Sequence, residues 1–300
     1  MSFEPPKRLV NALGEVRDDG ASAWLARLAG PAGILQEAVK RLELTVERVH
    51  VPGGRSSLVV LVRRADGTPA VLKLAPERFR PEAEHAALTH WNGFGAVQLL
   101  GDGGDLLLER LHPEVSVRSL PEAKALLEAA GTLRRLWVEP PSWRSCETVA
   151  HRTGRQAEAM RATAAAEPDV APLVDAALTA RDELLVAPPE VRLLHGTFRQ
   201  SKVLAGERTP WLAVGPDPVV GECAFDLARL VRDRVEDLIA SPSGAATTRR
   251  RVKRLAESLE VDQERLRGWT LFRAVESGVR ALRVGRGRDA ELLLEFATWL

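Results

Sequence analysis

The sequence predicts an α+β fold, with a small antiparallel sheet near the amino terminus and a mostly helical remainder. Three short apolar runs, at residues 44–51, 58–64 and 70–74, are separated by Pro52-Gly53-Gly54 and by Asp66-Gly67. Both separators are hairpin signals, so the three runs are predicted to be consecutive antiparallel strands. From Leu120 onward, long stretches place apolar residues at helical spacing. The 300 residues suffice for one large domain or for two packed lobes.

These patterns divide the chain into three predicted regions. Residues 1–42 are expected to form N-terminal helices. Residues 43–112 are expected to form an N-lobe sheet with one helix at 81–91 and two further strands at 97–100 and 105–111. Residues 113–300 are expected to form a helical C-lobe, in which 224–239 is predicted to be one helix and 191–194, 202–204 and 211–214 short strands.

The composition excludes several classes of partner. The chain has 42 basic and 41 acidic residues, for a formal net charge of +1, which argues against a nucleic-acid or membrane-surface binder. Cys146 and Cys223 are too few for a disulfide framework, so a reducing compartment is expected. No apolar run reaches the roughly 20 residues of a membrane helix, and the first residues lack the apolar stretch of a secretory signal. A cytoplasmic location is therefore predicted.

The loop between the first two predicted strands contains Gly53, Gly54, Ser56 and Ser57. Such a loop can fold over phosphate groups, because glycine lets backbone N–H groups approach closely. An ordinary hairpin turn is the alternative interpretation.

Lys73 lies in the third predicted strand, within an apolar run. In kinase-type folds a lysine at this place contacts the nucleotide phosphates and pairs with a glutamate on the next helix. Glu82 and Glu84 are the candidates, and Glu84 is preferred because it shares a helix face with Leu88 and Trp91. The alternative is that the glutamate is a solvated surface charge.

Several longer motifs carry a resemblance to a known family. They include Gly53-Gly54-Arg55-Ser56-Ser57, the run from Ala70 to Leu74, the run from Leu106 to Leu111, and Leu193-Leu194-His195-Gly196. In these motifs the chain resembles the aminoglycoside/hydroxyurea phosphotransferase family, and its streptomycin kinase branch most. The resemblance implies a protein-kinase-like two-lobed fold and transfer of the γ-phosphoryl group of ATP to an antibiotic hydroxyl. It also implies that Glu109 and Leu111 belong to a hinge that contacts adenine.

The sequence departs from the family at the residues that carry the chemistry. The resemblance places Thr197 where the family has its catalytic aspartate, Lys202 where it has a metal-binding asparagine, and Gly215 where it has a second metal-binding aspartate. Threonine cannot accept a proton at neutral pH, and neither an ammonium group nor glycine supplies an oxygen ligand for Mg²⁺ from its side chain. No metal site is therefore predicted. Asp226 is expected, by resemblance, to anchor the catalytic loop.

These departures predict a pseudokinase that binds ATP, another nucleotide or another anion without Mg²⁺ and without transferring phosphate. Lys202 and Arg199 would then neutralise the nucleotide phosphates, unless both are merely solvated charges of an unused site. The added positive charge disfavours polycationic aminoglycosides. One alternative is an active but atypical phosphotransferase that uses Asp217 as its carboxylate. Another is a non-catalytic interaction protein with a vacant cleft, and a regulatory protein partner is a further expectation.

Overall fold

The computed structural model describes residues 4–16, 18–28, 33–101, 104–141 and 146–300. The chain divides into two compact units. The first comprises Met1–Pro113 and Ala205–Leu212, and the second comprises Glu114–Leu204 and Ala213–Leu300. The chain therefore contributes to the first unit twice, from two segments that are distant in sequence.

The first unit contains a four-stranded antiparallel sheet in the order β1-β2-β3-β4. Its strands are β1 (Thr45–Val49), β2 (Leu58–Arg63), β3 (Pro69–Leu74) and β4 (Leu106–Glu109). Apolar residues alternate with polar or half-buried ones along β3, which is typical of a strand with one buried face. Lys73 lies opposite Val59 of β2 and Leu106 of β4, so it stands on a strand that is paired on both edges.

The α-helices in the described residues of the first unit are α1 (Lys7–Gly14), α2 (Asp19–Leu28), α3 (Ile34–Arg41) and α4 (Pro81–Trp91). The first three helices are amphipathic and bury residues such as Leu9, Leu28 and Leu35 against apolar side chains of β2 and β3. Helix α4 has proline at its first position, where the missing N–H is not needed. It ends at Asn92, which adopts the left-handed conformation with φ of 43°.

The second unit is mostly helical. Its helices are α5 (Glu122–Leu136), α6 (Val149–Ala166), α7 (Ala171–Val186), α8 (Cys223–Val231), α9 (Val235–Ile239), α10 (Gly244–Leu259), α11 (Gln263–Arg283) and α12 (Gly287–Ala297). Helix α11 is the longest described and runs through the core. Trp269 on this helix meets Phe225 and Phe272 edge to face, with ring centroids 5.1 Å and 5.8 Å apart, a favoured geometry for buried aromatic pairs.

Five short strands follow the first sheet in the chain: β5 (His112–Ser116), β6 (Arg192–Leu194), β7 (Val203–Ala205), β8 (Trp211–Ala213) and β9 (Val219–Gly221). Strands β6 and β9 pair antiparallel, with Leu193 opposite Val220. This pairing brings together the two ends of the segment 195–218, which carries most of the predicted catalytic residues.

The predicted α+β class, with a small antiparallel sheet followed by a mostly helical remainder, is confirmed. Two details of the prediction are wrong. Residues 97–100 do not form a continuous strand, because only an isolated bridge joins Leu99 to Leu108. Residues 224–239 form two helices, because Arg234 takes the left-handed conformation with φ of 58° and interrupts the helix. Within the described residues, no helix is both long and apolar enough to span a bilayer.

Candidate functional site

The glycine loop between β1 and β2 is shaped by Gly53. Its φ is 72°, and a Cβ atom there would lie 3.1 Å from the carbonyl oxygen of His50, so a glycine suits the position. Ser57 is buried, and Arg55 forms an ion pair with Glu15 after the end of α1. The loop is therefore tied to the helical layer of the first unit. That Gly53, Gly54, Ser56 and Ser57 contact phosphate stays a prediction.

Lys73 and Glu84 form an ion pair between β3 and α4. Both side chains are largely buried, with exposed fractions of 13% and 5%. The predicted choice of Glu84 over Glu82 is thus confirmed as a contact. The pair holds the lysine ammonium beside α4. Removing either partner would leave an uncompensated buried charge. Its role in holding nucleotide phosphates stays a prediction.

The predicted hinge begins at Glu109, at the end of β4. Its carboxylate accepts hydrogen bonds from the Gln98 backbone N–H at 3.0 Å and from the Arg208 guanidinium at 2.8 Å. Arg208 also donates to the carbonyl oxygens of Gly93 and Ala96, at 2.8 Å and 3.2 Å. Arg208 therefore fastens the second segment of the first unit onto the first segment at this point. Adenine contact by Glu109 and Leu111 stays a prediction.

In the second unit, Asp226 holds the loop that follows β6. Its two carboxylate oxygens accept hydrogen bonds from the backbone N–H groups of His195 at 2.8 Å and Gly196 at 2.9 Å. Burial raises the pKa of Asp226, and Arg273 and the two N–H donors act in the opposite direction. Arg273 in turn donates to the Gly196 carbonyl oxygen at 2.6 Å. The expected anchoring role of Asp226 is confirmed.

Gly196 lets two parts of the segment 195–218 approach closely. Its φ is 77°, and a Cβ atom at this position would lie only 1.9 Å from the Asp217 carbonyl oxygen. The Asp217 N–H donates to the His195 carbonyl oxygen at 3.0 Å. The backbone at position 217 is thus packed directly against the loop that carries Thr197.

The three positions at which the chain departs from the family meet in space. The Lys202 ammonium donates to the Thr197 hydroxyl and to the Gly215 carbonyl oxygen, both at 2.6 Å. The Thr197 hydroxyl also lies 3.3 Å from the Gly215 carbonyl oxygen. One cation therefore links the residues that stand at the catalytic and metal-binding positions by resemblance.

The substitute carboxylate, Asp217, is partly exposed and held by an arginine. Its Oδ1 accepts a hydrogen bond from the Arg152 guanidinium at 3.0 Å, and 43% of its side chain is exposed. Arg152 also donates to the Asp217 carbonyl oxygen at 3.0 Å and pairs with Glu147. The carboxylate therefore has a defined direction and still reaches solvent.

The residues present do not fit Mg²⁺, which binds through oxygen ligands. Lys202 brings a positive charge to the place that the resemblance assigns to a metal ligand, and Gly215 has no side chain. In the part of the chain that the structure describes, no group of three histidine, cysteine or acidic side chains is placed to hold a metal ion.

Arg199 is half-buried and lines a pocket in the second unit together with other arginines. Arg199 is predicted from the sequence, whereas Arg152, Arg208 and Arg273, which position the candidate residues, are not. Arg208 lies in the stretch 203–213 and Arg273 in the stretch 273–277, both of which resemble the family, and this was the available signal for them. Arg152 has no such signal, because its partner Asp217 is distant in sequence.

A sequence model described as aminoglycoside/hydroxyurea antibiotic resistance kinase matches residues 43–285. Streptomycin 6-kinase of Streptomyces glaucescens is 36% identical over 282 residues, which cover 92% of this chain and 90% of that protein. Hydroxyurea phosphotransferase of Kitasatospora aureofaciens is 34% identical, covering 86% and 75% of the two chains. Choline kinase LicA of Streptococcus pneumoniae superposes with a TM-score of 0.59 at 12% identity, covering 88% of this chain and 98% of its own.

This superposition shows a protein-kinase-like fold, with an antiparallel sheet and a mostly helical remainder. The chain belongs to the aminoglycoside/hydroxyurea antibiotic resistance kinase family, in its streptomycin kinase-like branch.

The interpretation of the chain as a pseudokinase is wrong. Relatives that are 34–36% identical over most of their length are named as a kinase and a phosphotransferase. These comparisons favour the alternative of an active phosphotransferase over both non-catalytic interpretations.

Proposed function

We propose that the protein is an ATP-dependent phosphotransferase with a hydroxyl group of a small organic molecule as acceptor. The observation that carries this proposal is the 36% identity to streptomycin 6-kinase over 92% of the chain. The ion pair of Lys73 and Glu84 supports it, because kinases use such a pair to hold nucleotide phosphates. The acceptor class follows the named relatives: an antibiotic or another secondary metabolite.

Lys202 supplies positive charge at the site in this proposal. Its ammonium is held by Thr197 and Gly215 and can neutralise charge that develops on the transferred phosphoryl group. ATP would then bind without a tightly coordinated Mg²⁺, since the residues present do not fit that ion. Arg199 adds a second cation on the same loop.

Asp217 acts as the carboxylate that receives the acceptor proton. In the proposed step the bond between the γ-phosphorus and the oxygen that bridges to the β-phosphate breaks. The acceptor oxygen forms the new bond to phosphorus, its proton passes to the Asp217 carboxylate, and ADP leaves. Arg152 keeps this carboxylate in a fixed direction through its hydrogen bond.

The experiment incubates the purified protein with ATP and a panel of hydroxylated antibiotics that includes streptomycin and hydroxyurea, and detects phosphorylated product by mass spectrometry. A phosphorylated product is expected for at least one compound. The variant Asp217→Asn should lower the rate by about 10²–10⁴-fold, the usual contribution of a general base. Asp182→Asn is the matched control, because Asp182 is also paired with an arginine and is 57% exposed.

Three outcomes would contradict the proposal. The first is no product across the panel from folded protein. The second is full activity of Asp217→Asn, which would exclude this carboxylate as the base. The third concerns the metal: an ATP affinity that is lost completely when Mg²⁺ is chelated would contradict the role given to Lys202.

A further inference from the structure

A pocket of 160 Å³ lies in the second unit, and five of the ten residues that line it are arginines. Two carboxylates also line it, those of Asp233 and Glu236. Guanidinium groups outnumber these carboxylates by three, and arginine keeps its charge at neutral pH. The five arginines of the pocket are Arg118, Arg199, Arg229, Arg232 and Arg234.

The positive charge is concentrated at the end of α8. Burial and the charge of Arg199 lower the pKa of Arg229 to about 10. Burial and the charge of Arg229 lower the pKa of Arg232 to about 9. Glu276 and Asp233 act in the opposite direction but do not cancel these effects. The lining therefore brings several guanidinium groups together beside Asp233 and Glu236.

Part of the lining is already committed to holding the loop after β6. Asp233 accepts the Gln200 N–H at 2.6 Å, and Arg234 donates to the Gln200 side-chain oxygen at 3.0 Å. Arg234 also donates to the Leu120 carbonyl oxygen at 2.9 Å. Asp233 is thus already hydrogen-bonded to the backbone of this loop, and this bond competes with its attraction to Arg229 and Arg232.

We infer that this pocket binds a compact oxyanion, a phosphate, sulfate or carboxylate group, with Arg229 and Arg232 as its central donors. The planar guanidinium fork matches the spacing of oxygens in such groups. The volume is below the roughly 300–1,000 Å³ of pockets for drug-sized ligands. The pocket therefore accepts an oxyanion or a small molecule that carries one.

The bound oxyanion has two sources with the same chemistry. It is either free inorganic phosphate or an acidic group on the acceptor of the proposed reaction. Arg199 and Ser201 belong to the loop that carries Thr197 and Lys202, so a ligand in the pocket contacts that loop directly. Binding of an oxyanion to the pocket can be measured without turnover. Its presence or absence is therefore established independently of the phosphotransferase activity.

The test titrates the full-length protein with inorganic phosphate and with sulfate by calorimetry, using chloride at matched ionic strength as the reference. Saturable binding of phosphate and sulfate, but not of chloride, is expected. Glycerol 3-phosphate distinguishes the sources. Binding at least ~10-fold tighter than that of inorganic phosphate identifies a phosphorylated acceptor, and equal affinity identifies the free anion.

Arg229→Gln should weaken phosphate binding by ~10-fold or more, since a hydrogen bond to a charged group is lost. Arg250→Gln, on the exposed face of α10, should bind as the unchanged protein does. Circular dichroism and thermal unfolding without anion show whether each variant folds. The inference is overturned if phosphate and sulfate bind no better than chloride, or if folded Arg229→Gln binds phosphate with unchanged affinity.

Discussion

The substitution Asp226→Asn tests how the loop after β6 is held. The Asp226 carboxylate accepts two backbone N–H groups, at 2.8 Å and 2.9 Å, and is completely buried. An asparagine of the same shape keeps one oxygen acceptor and turns its NH₂ group toward the second N–H. Arg273, whose charge interacts with Asp226, also loses a buried counter-charge.

The expected loss of stability follows from these contacts. A hydrogen bond to a charged group contributes about 1.5–3 kcal/mol, and an uncompensated buried charge costs about 3–5 kcal/mol. Burial already raises the pKa of Asp226 and so penalises its ionised form, which offsets part of both effects. We therefore expect Asp226→Asn to lower the free energy of unfolding by about 2–4 kcal/mol.

Urea denaturation followed by tryptophan fluorescence measures this change, and Trp269, packed on Phe225, is a reporter close to the substituted residue. Hydrogen exchange of the peptide that contains His195 and Gly196 measures it locally and should accelerate. Asp175→Asn on the exposed side of α7 is the control and should change stability by no more than about 0.5 kcal/mol. A loss below about 1 kcal/mol with unchanged exchange at His195 and Gly196 would refute the reasoning.

Further predictions concern the first unit, the glycine contact and the cysteines. Glu84→Leu should lower the free energy of unfolding by about 3–5 kcal/mol, because it leaves Lys73 unpaired. Adding Lys73→Met should restore part of that loss in denaturation curves. A double variant that is less stable than Glu84→Leu would contradict this. Gly196→Ala should lower the melting temperature far more than Gly285→Ala. Both glycines have positive φ, but of the two only a Cβ atom at position 196 would meet a backbone oxygen. Equal melting temperatures of the two variants would argue against the contact. Burial raises the pKa of the Cys223 thiol, so a thiol reagent at pH 8 should label it only after unfolding; rapid labelling in the native protein would be inconsistent with that burial.

The sequence predicted those features whose signals are local. Strands β2 and β3 follow from apolar runs bounded by the turns at Gly53 and Gly67. Lys73 and Glu84 could be paired because each stands at a recognisable place in its own element. Asp226 could be assigned from a motif of its own helix.

Features that depend on distant partners could not be predicted. Arg251 lies in the basic run 249–254, which suggests a solvated helix face, yet it is buried and donates to the carbonyl oxygens of Val231 and Asp233 at 2.7 Å. The bonds of Lys202 to Thr197 and Gly215 depend on how residues 195–218 fold back, which no local signal indicates. Local periodicity gives no information about such contacts.

The inference of lost catalysis failed for a different reason. The side-chain chemistry of three positions is weaker evidence than similarity along most of the length of the chain. The similarity to relatives named as kinases extends over most of the chain, and the Asp217 backbone lies against the same loop.

Because two separate segments of the chain form the first unit, the order of synthesis determines when this unit can be complete. Ala205–Leu212 belongs to this unit, and Arg208 from this segment bonds Glu109, Gly93 and Ala96. During synthesis the ribosome delivers those partners first and Arg208 about a hundred residues later, which takes about 5–20 seconds at ordinary rates of elongation. The first unit of the nascent chain therefore lacks the hydrogen bonds of Arg208 while the residues between 109 and 208 are being synthesised. A ribosome-stalled fragment ending before residue 205 is expected to be more sensitive to protease near Glu109 than one that extends beyond residue 212.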